Sequence, residues 1–397
     1  MSTLFSFFYL YDPWLFHFLR MAFVVGGIGV AWLIYRLYTK QLTQGIAVPI
    51  DSILVIIALI LLSIIPILIN GTTELGVVRM YVKSLVLFVF GIGIYNLFYC
   101  HLAGQVQFVS DLKIGLLIQA AIGLLALFSL TTVIDLVLST HTIMPRFYNS
   151  EQEYRLYNLT SSAFFQLSIF YLMLLHFLLA YDVKKNRISA FFLFLLLFIG
   201  TISGRTFFML SIISIILYFK WRYLPALITF AAIVLFLSLN FSEHKYVAHA
   251  FEPVINLFSH QDMSKISSSS ENLIKNHLFI PTLKQFLIGD GEYFTDEGKY
   301  YGATDSGFLR QVLYGGLAYL MICFAFTAYF VKRVADNWFE GSWKFTLSTL
   351  FILSVLQIKA DTYAFPGIML IFIMFLSLFG KKGKWVWLFK NKEGMNV

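Results

Sequence analysis

Apolar residues along this 397-residue chain gather in long, almost unbroken stretches, neither alternating nor confined to one helical face. Runs of about 20 recur over the whole length, which is what a helix needs to cross a hydrocarbon core of about 30 Å. The pattern predicts an all-α polytopic membrane protein with about eleven transmembrane helices, over 18–36, 49–69, 77–97, 114–136, 161–181, 188–203, 206–219, 223–240, 307–331, 345–360 and 363–380. The stretch 3–17 is apolar and aromatic but contains Asp12-Pro13; it reads as an interfacial segment, with a twelfth span as the alternative. No ten-residue alternating segments occur, which argues against a transmembrane barrel. The first apolar run is followed by many others and carries no small-residue cleavage site, so no removable signal peptide is expected.

The stretch 188–219 needs its own reading. As one helix it would be roughly 48 Å long, too much for a core of about 30 Å. Basic residues flank it on both sides. A hairpin of two short helices meets both conditions, with its tip at Ser203-Gly204-Arg205-Thr206.

Basic residues orient the spans. Lys381, Lys382, Lys384, Lys390 and Lys392 place the C-terminus inside. Lys332/Arg333, Lys220/Arg222, Lys184/Lys185/Arg187 and Arg36/Lys40 then fall on the same side, and the N-terminus outside. The organisation expected is N-terminal spans over 1–240 with an outer loop at 137–160, a large outer loop at 241–306, C-terminal spans over 307–380 and a basic tail at 381–397. Within the large loop, 246–258 and 272–288 have helix-like apolar spacing, and Ser268-Ser269-Ser270-Glu271 offers a capping box for the second.

Composition agrees. The chain is 59% hydrophobic and 13% charged, about half the charged share of a soluble domain. The net charge of +8 reads as topology signal, so nucleic acid is not expected as a partner. Cys100 and Cys323 fall in or beside spans and suggest neither a disulfide framework nor a metal site.

Against the rule that favours basic residues inside, Arg79, Arg146, Arg155, Arg205 and Arg310 all map to the outer edge, with Lys83 beside the first. Arg79 and Lys83 are four apart and share a helix face. Arg310 lies one turn inside its helix, and Arg205 at the hairpin tip. Together they suggest a basic, outward-facing cavity for an anion, since the planar guanidinium gives bidentate contacts to phosphate. Snorkelling to headgroups, or pairing with a neighbouring acid, is the plainer alternative for any one of them and the preferred one for Arg146, whereas the short, otherwise apolar tip favours function for Arg205. Asp305 and Ser306 precede a span and both suit an N-cap. Asp361 is placed to pair with Lys359, Asp135 closes the fourth span, and Glu151 and Glu153 read as solvated loop residues. His176 reads as a packed helix residue. The sequons at Asn70, Asn158 and Asn240 are weak patterns.

Three short motifs stand out. Gly289-Asp290-Gly291 is followed by Asp305-Ser306, then nine residues, then Gly316-Leu317-Ala318-Tyr319. An arginine follows small residues at the tip Ser203-Gly204-Arg205. On these residues the chain resembles the bacterial O-antigen polymerase family, which belongs with O-antigen ligases in a superfamily of membrane glycosyltransferases of the GT-C type. The likeness covers about 155–330; the N-terminal spans are similar only in hydropathy. Ligases generally carry histidine where this chain has Asp305, which favours a polymerase.

The resemblance implies a GT-C-like fold in the bacterial inner membrane with its active site facing the periplasm. It implies transfer of a growing glycan from undecaprenyl diphosphate to a sugar hydroxyl of a lipid-linked repeat unit, so that undecaprenyl-diphosphate-linked oligosaccharide is both donor and acceptor. Arg205, with Arg310, Arg155, Arg79 and Lys83, would hold the diphosphate, and Asp305 would accept the hydroxyl proton. Tyr300, Tyr301 and Asp361 would meet the glycan, with Tyr293 as a further stacking ring; Gly289, Gly291, Ser306 and Gly316 would shape the motif. No cofactor and no metal are expected, the arginines serving in place of a cation. A chain-length regulator and a flippase of the same pathway are the implied partners, beside the lipid bilayer itself. The alternatives are a ligase or protein oligosaccharyltransferase, which differs in acceptor, and a lipid-linked oligosaccharide transporter. A transporter is expected to show internal repeats and midplane charges, neither of which is present.

Overall fold

The computed structural model describes residues 1–42, 45–258, 271–380, 383 and 385–389. It is mostly helical. Among the described residues seven helices are long and apolar enough to cross a membrane: Met21–Tyr38, Ile50–Asn70, Gly76–Phe98, Gly104–Leu127, Phe164–Lys185, Trp221–Asn240 and Gly307–Trp338. Ala190–Ser203, Arg205–Leu217 and Trp343–Gln357 are shorter apolar helices. The architecture is that of an all-α polytopic membrane protein.

Several boundaries differ from those expected. The span expected at 114–136 is two helices, Gly104–Leu127 and Thr131–Ser139, separated at Ser129, whose φ is 60°. Asp111 hid the true start; it is buried within the first of them and accepts a hydrogen bond from Thr3 Oγ1 at 2.6 Å. The helix expected to stop at 331 runs to Trp338 and takes in Lys332 and Arg333. Both find acids: Lys332 pairs with Asp336 at 2.6 Å, and Arg333 with Asp51 at 2.9 Å. The apolar stretch expected over 363–380 is helical only over Ile368–Leu376. The segment at 3–17 is a helix only from Ser2 to Tyr11, too short to span. Phe5, Phe7, Tyr9, Leu10 and Tyr11 are buried, so it packs inward instead of lying on a surface. It ends where Asp12 turns left-handed and accepts from Arg20 and, at 2.9 Å, from the Ala22 N–H.

The chain forms two compact units. The first holds Met1–Val24 and the described residues of Val106–Glu271; the second holds Val25–Gln105 and the described residues from Asn272 onward.

In the first unit every residue from Leu167 to Asp182 of helix Phe164–Lys185 is buried. The short helices Ala190–Ser203 and Arg205–Leu217 pack beside it, joined at Gly204, which gives the hairpin expected from length. Asp182 ties the far end: it accepts from Ile188 N at 2.5 Å, from Lys220 at 3.1 Å, and from Arg222 and Tyr223. His176 is packed as expected, with Nδ1 2.9 Å from Ser214 Oγ. Asn158 is fully buried and accepts from Tyr171 OH at 2.9 Å, which removes its sequon from the surface.

In the second unit the long helix Gly307–Trp338 packs against Ile50–Leu62, Trp343–Gln357 and Ile368–Leu376. A small antiparallel ribbon, absent from the sequence reading, pairs Ile46–Pro49 with Trp385–Leu388 in the register Ile46 to Leu388 and Pro49 to Trp385.

Candidate functional site

The candidate residues gather in two clusters, one in each unit. In the first unit Arg205 opens its helix at the hairpin tip, and Glu252, at the start of helix Glu252–Phe258, forms an ion pair with it. Arg155 belongs to a short 3-10 turn, Glu153–Leu156, and lies against the same tip. Its Nε donates to the Ser203 carbonyl at 3.3 Å and its NH1 to Gln152 Oε1 at 3.2 Å. Its guanidinium covers the Phe164 ring at 4.5 Å. Gly204 is required here by close approach: a Cβ would stand 2.7 Å from Ser168 Oγ and 3.0 Å from Arg155 NH2. Burial pushes the Arg155 guanidinium down to about 10; the nearby Tyr154 opposes the shift and Arg205 adds to it. It stays charged at neutral pH, and no acid is bonded to it among the described residues. Arg146 stands apart, stacked on Phe147 at 4.5 Å, which fits the plainer reading of that residue.

Tyr154, Tyr246 and His249 surround this pair. Tyr154 OH lies 2.9 Å from His249 Nδ1, and Tyr157 OH 3.2 Å from Tyr246 OH. Next to them is an apolar cavity of about 560 Å³ walled by Leu117, Leu124, Phe191, Phe198, Phe230 and Phe251. Tyr154, Thr201 and Ala250 also border it, so its rim adjoins Arg155, the hairpin tip and Glu252 along the chain.

Two histidines of this unit are held neutral. His141 is buried, and its Nε2–H donates to the carbonyls of Leu156 at 2.8 Å and Asn158 at 3.1 Å. Burial pulls it down to about 4. Burial also pulls His249 down to about 4, aided by Arg205 and Arg155. Between pH 6.5 and pH 4 the unfolded chain takes up protons that these imidazoles refuse, so stability falls as pH falls across that window. For the fully buried His141 the loss is about 3 kcal/mol. Thermal unfolding of detergent-solubilised protein is expected to show this slope, and His141→Gln to flatten it.

In the second unit the three motif fragments meet. Helix Gly307–Trp338 is interrupted at Gly315 and Gly316, whose φ values are −142° and 73°. The interruption frees carbonyls, and the Gly-Asp-Gly fragment satisfies them: Asp290 N–H donates to Leu313 O at 2.6 Å and Gly291 N–H to Tyr314 O at 3.0 Å. Broken helices are tolerated at membrane depth only when protein supplies such partners. A Cβ on Gly289 would lie 2.5 Å from Tyr314 O, and one on Gly316 2.3 Å from Leu287 O. The Asp290 carboxylate accepts from Gln285, Lys284 and Tyr301, at 2.8, 3.1 and 3.2 Å. Tyr319, one turn past the break, is buried and bonded to Tyr81 OH at 2.9 Å.

Arg310 is the centre of this cluster and only 5% exposed. Its NH1 donates to Asp361 at 2.8 Å, its NH2 to Asp305 at 3.1 Å and its Nε to the Thr304 carbonyl at 2.9 Å. Tyr300 lies flat on the guanidinium, 3.3 Å from the ring centre.

Three expectations change here. Asp361 is 1% exposed and holds Arg310, so it is too enclosed to meet the glycan that the resemblance implied for it. Ser306 occupies the N-cap position but makes no side-chain cap bond, and Asp305 spends its carboxylate on Arg310; capping explains neither. The capping box of this region is Thr282–Gln285, whereas Ser268–Ser270 lie outside the described residues. Arg79 is exposed on helix Gly76–Phe98, where its charge acts on Glu74, and Lys83 is one turn further along.

Glu252, Tyr154, His249 and His277 escaped the sequence reading. Only Glu252 carried a signal, an acid opening a helix. The others sit on short helical turns, where spacing within the turn says nothing of contacts with distant residues. No protein-family model, curated protein or solved structure matches this chain.

Proposed function

We propose that this protein is a repeat-unit polymerase of O-antigen or a related polysaccharide, acting at the periplasmic face of the bacterial inner membrane. It moves a growing glycan from undecaprenyl diphosphate to a sugar hydroxyl of a lipid-linked repeat unit. What carries this reading is the first unit's pairing of two charged arginines with an apolar cavity whose rim residues neighbour them along the chain. That combination suits a phosphorylated isoprenoid: guanidinium groups for the diphosphate, phenylalanine walls for the chain.

Arg155, whose bonds are to neutral oxygens, and Arg205, which exchanges Glu252 for phosphate, bind the leaving diphosphate and stabilise the charge that grows as the anomeric bond breaks. Arg310 is not a diphosphate ligand in this reading, because two carboxylates already satisfy it. It holds Asp305 just before the N-terminal end of its helix.

Purified protein in liposomes with undecaprenyl-diphosphate-linked repeat units alone is expected to give a product ladder on a gel. Arg205→Ala and Arg155→Ala are each expected to lower the rate by roughly 10²–10³, as loss of one charge-stabilising donor does elsewhere. A ladder that appears only after a different acceptor is added would make the protein a ligase-type transferase. A ladder unchanged by both substitutions would remove the diphosphate assignment.

A further inference from the structure

Tyr154 borders the apolar cavity of the first unit, and its hydroxyl lies 2.9 Å from Nδ1 of His249. Among the described residues Nδ1 is the one hydrogen-bond partner of that hydroxyl. Burial keeps the phenol protonated, pushing it up to about 12. Its hydrogen goes to Nδ1, which leaves the ring proton of the imidazole on Nε2. Nε2 has no hydrogen-bond partner among the described residues, and His249 is only half-buried. The ring therefore offers one open N–H, and offers it as a neutral group, because burial and the two arginines pull its pKa down to about 4.

Other donors are open beside it. Arg155 spends Nε on the Ser203 carbonyl and NH1 on Gln152, and its NH2 has no hydrogen-bond partner among the described residues. Arg205 already holds an oxyanion, the carboxylate of Glu252. Glu252 opens the helix that follows the one carrying His249, three positions along. The groups that act on the imidazole are Arg205, Arg155 and Glu151, with Tyr154 bonded to it. On helix Lys245–Ala250 the residues that wall the cavity are Tyr246, Val247 and Ala250; His249 lies one turn from Tyr246, at the edge of that face. Tyr154 joins the two regions, its ring on the cavity and its hydroxyl on the imidazole.

We propose that His249 is a third ligand of the lipid diphosphate, its Nε2–H donating to a phosphate oxygen beside Arg155 and Arg205, with the Tyr154 hydroxyl fixing the tautomer. The inference rests on the diphosphate reading above and names a further binding residue of that same site, all of it within the first unit. Two guanidinium groups supply the positive charge. A third cation would repel them, whereas a neutral imidazole adds a directed hydrogen bond to one oxygen without that repulsion. The isoprenoid chain lies on the phenylalanines of the cavity, and the head leaves it past Tyr154.

The test measures the affinity of the full chain in detergent for undecaprenyl diphosphate and for undecaprenol, which has the same chain and no phosphate. His249→Ala is expected to weaken the diphosphate roughly 10–100-fold, the worth of a hydrogen bond to a charged group, and to leave undecaprenol within about twofold. His249→Gln, which keeps an N–H donor, is expected to recover part of the loss. Unchanged diphosphate affinity in His249→Ala would overturn the proposal. So would an equal loss for both lipids, the sign that His249 only holds Tyr154 and the cavity wall in place. Wild type that prefers the diphosphate, loses that preference in Arg155→Ala and Arg205→Ala and keeps it in His249→Ala would overturn this inference alone. Wild type that binds the two lipids equally would overturn the diphosphate reading, and this inference with it.

Discussion

Replacing Arg310 by methionine is expected to destabilise the second unit by about 3–5 kcal/mol, the usual outcome when one member of a buried ion pair is stranded. Asp361 is 1% exposed and cannot turn to water, so its charge would be left among the rings of Tyr293 and Tyr300. Burial pushes the Asp361 carboxyl above its usual range, and the Arg310 guanidinium opposes that shift. Asp305→Asn is a contrast: Asp305 is 56% exposed, and losing an open pair costs at most about 1 kcal/mol. The combination of Arg310→Met with Asp361→Leu is expected to recover most of the loss, since it removes both charges together. Denaturant or thermal unfolding in detergent measures all four proteins. A cost below about 1 kcal/mol for Arg310→Met would show that this pair does not hold the cluster.

Gly316→Ala is expected to cost roughly 2–5 kcal/mol, from left-handed backbone strain together with overpacking. Its φ is 73°, and an added Cβ would sit 2.3 Å from the Leu287 carbonyl oxygen. Backbone cannot swing aside as a side chain can. The helix break would have to reform elsewhere, and the hydrogen bonds from Asp290 and Gly291 to the freed carbonyls would go with it. Because the same break carries the N-terminal end of the helix, with Arg310 on it, glycan transfer is expected to fall as well. Gly27→Ala supplies the control: nothing lies within 4 Å of a Cβ there, and the residue is in a helix. That change is expected to be neutral or to stabilise by up to about 1 kcal/mol, because alanine has less backbone freedom to lose. Equal melting temperatures for the two variants would refute the account of the break.

Architecture was legible in the sequence because hydropathy is a local quantity. A run such as 77–97 has to be shielded from water whatever else the chain does, and it is helix Gly76–Phe98. The hairpin at 188–219 followed from length against bilayer thickness and from the basic residues on both sides of it. The same locality caused the errors. Asp111, Lys332 and Arg333 ended spans on paper because a charge in an apolar run is costly, yet each lies inside a helix with a partner far away in sequence or one turn along it.

The candidate site divides in the same way. The sequence by itself determined an all-helical membrane chain, the hairpin tip with Arg205, and the presence of glycine pairs flanking an Asp-Ser step. Only the tertiary structure decided what those pieces do. It set Gly289–Gly291 against the break at Gly316, gave Arg310 to Asp361, and put His277 beside Asp305. The physical reason is range. Apolar burial is read residue by residue, whereas hydrogen bonds and ion pairs are decided by which atoms arrive within about 3 Å of one another, and only packing brings distant residues that close.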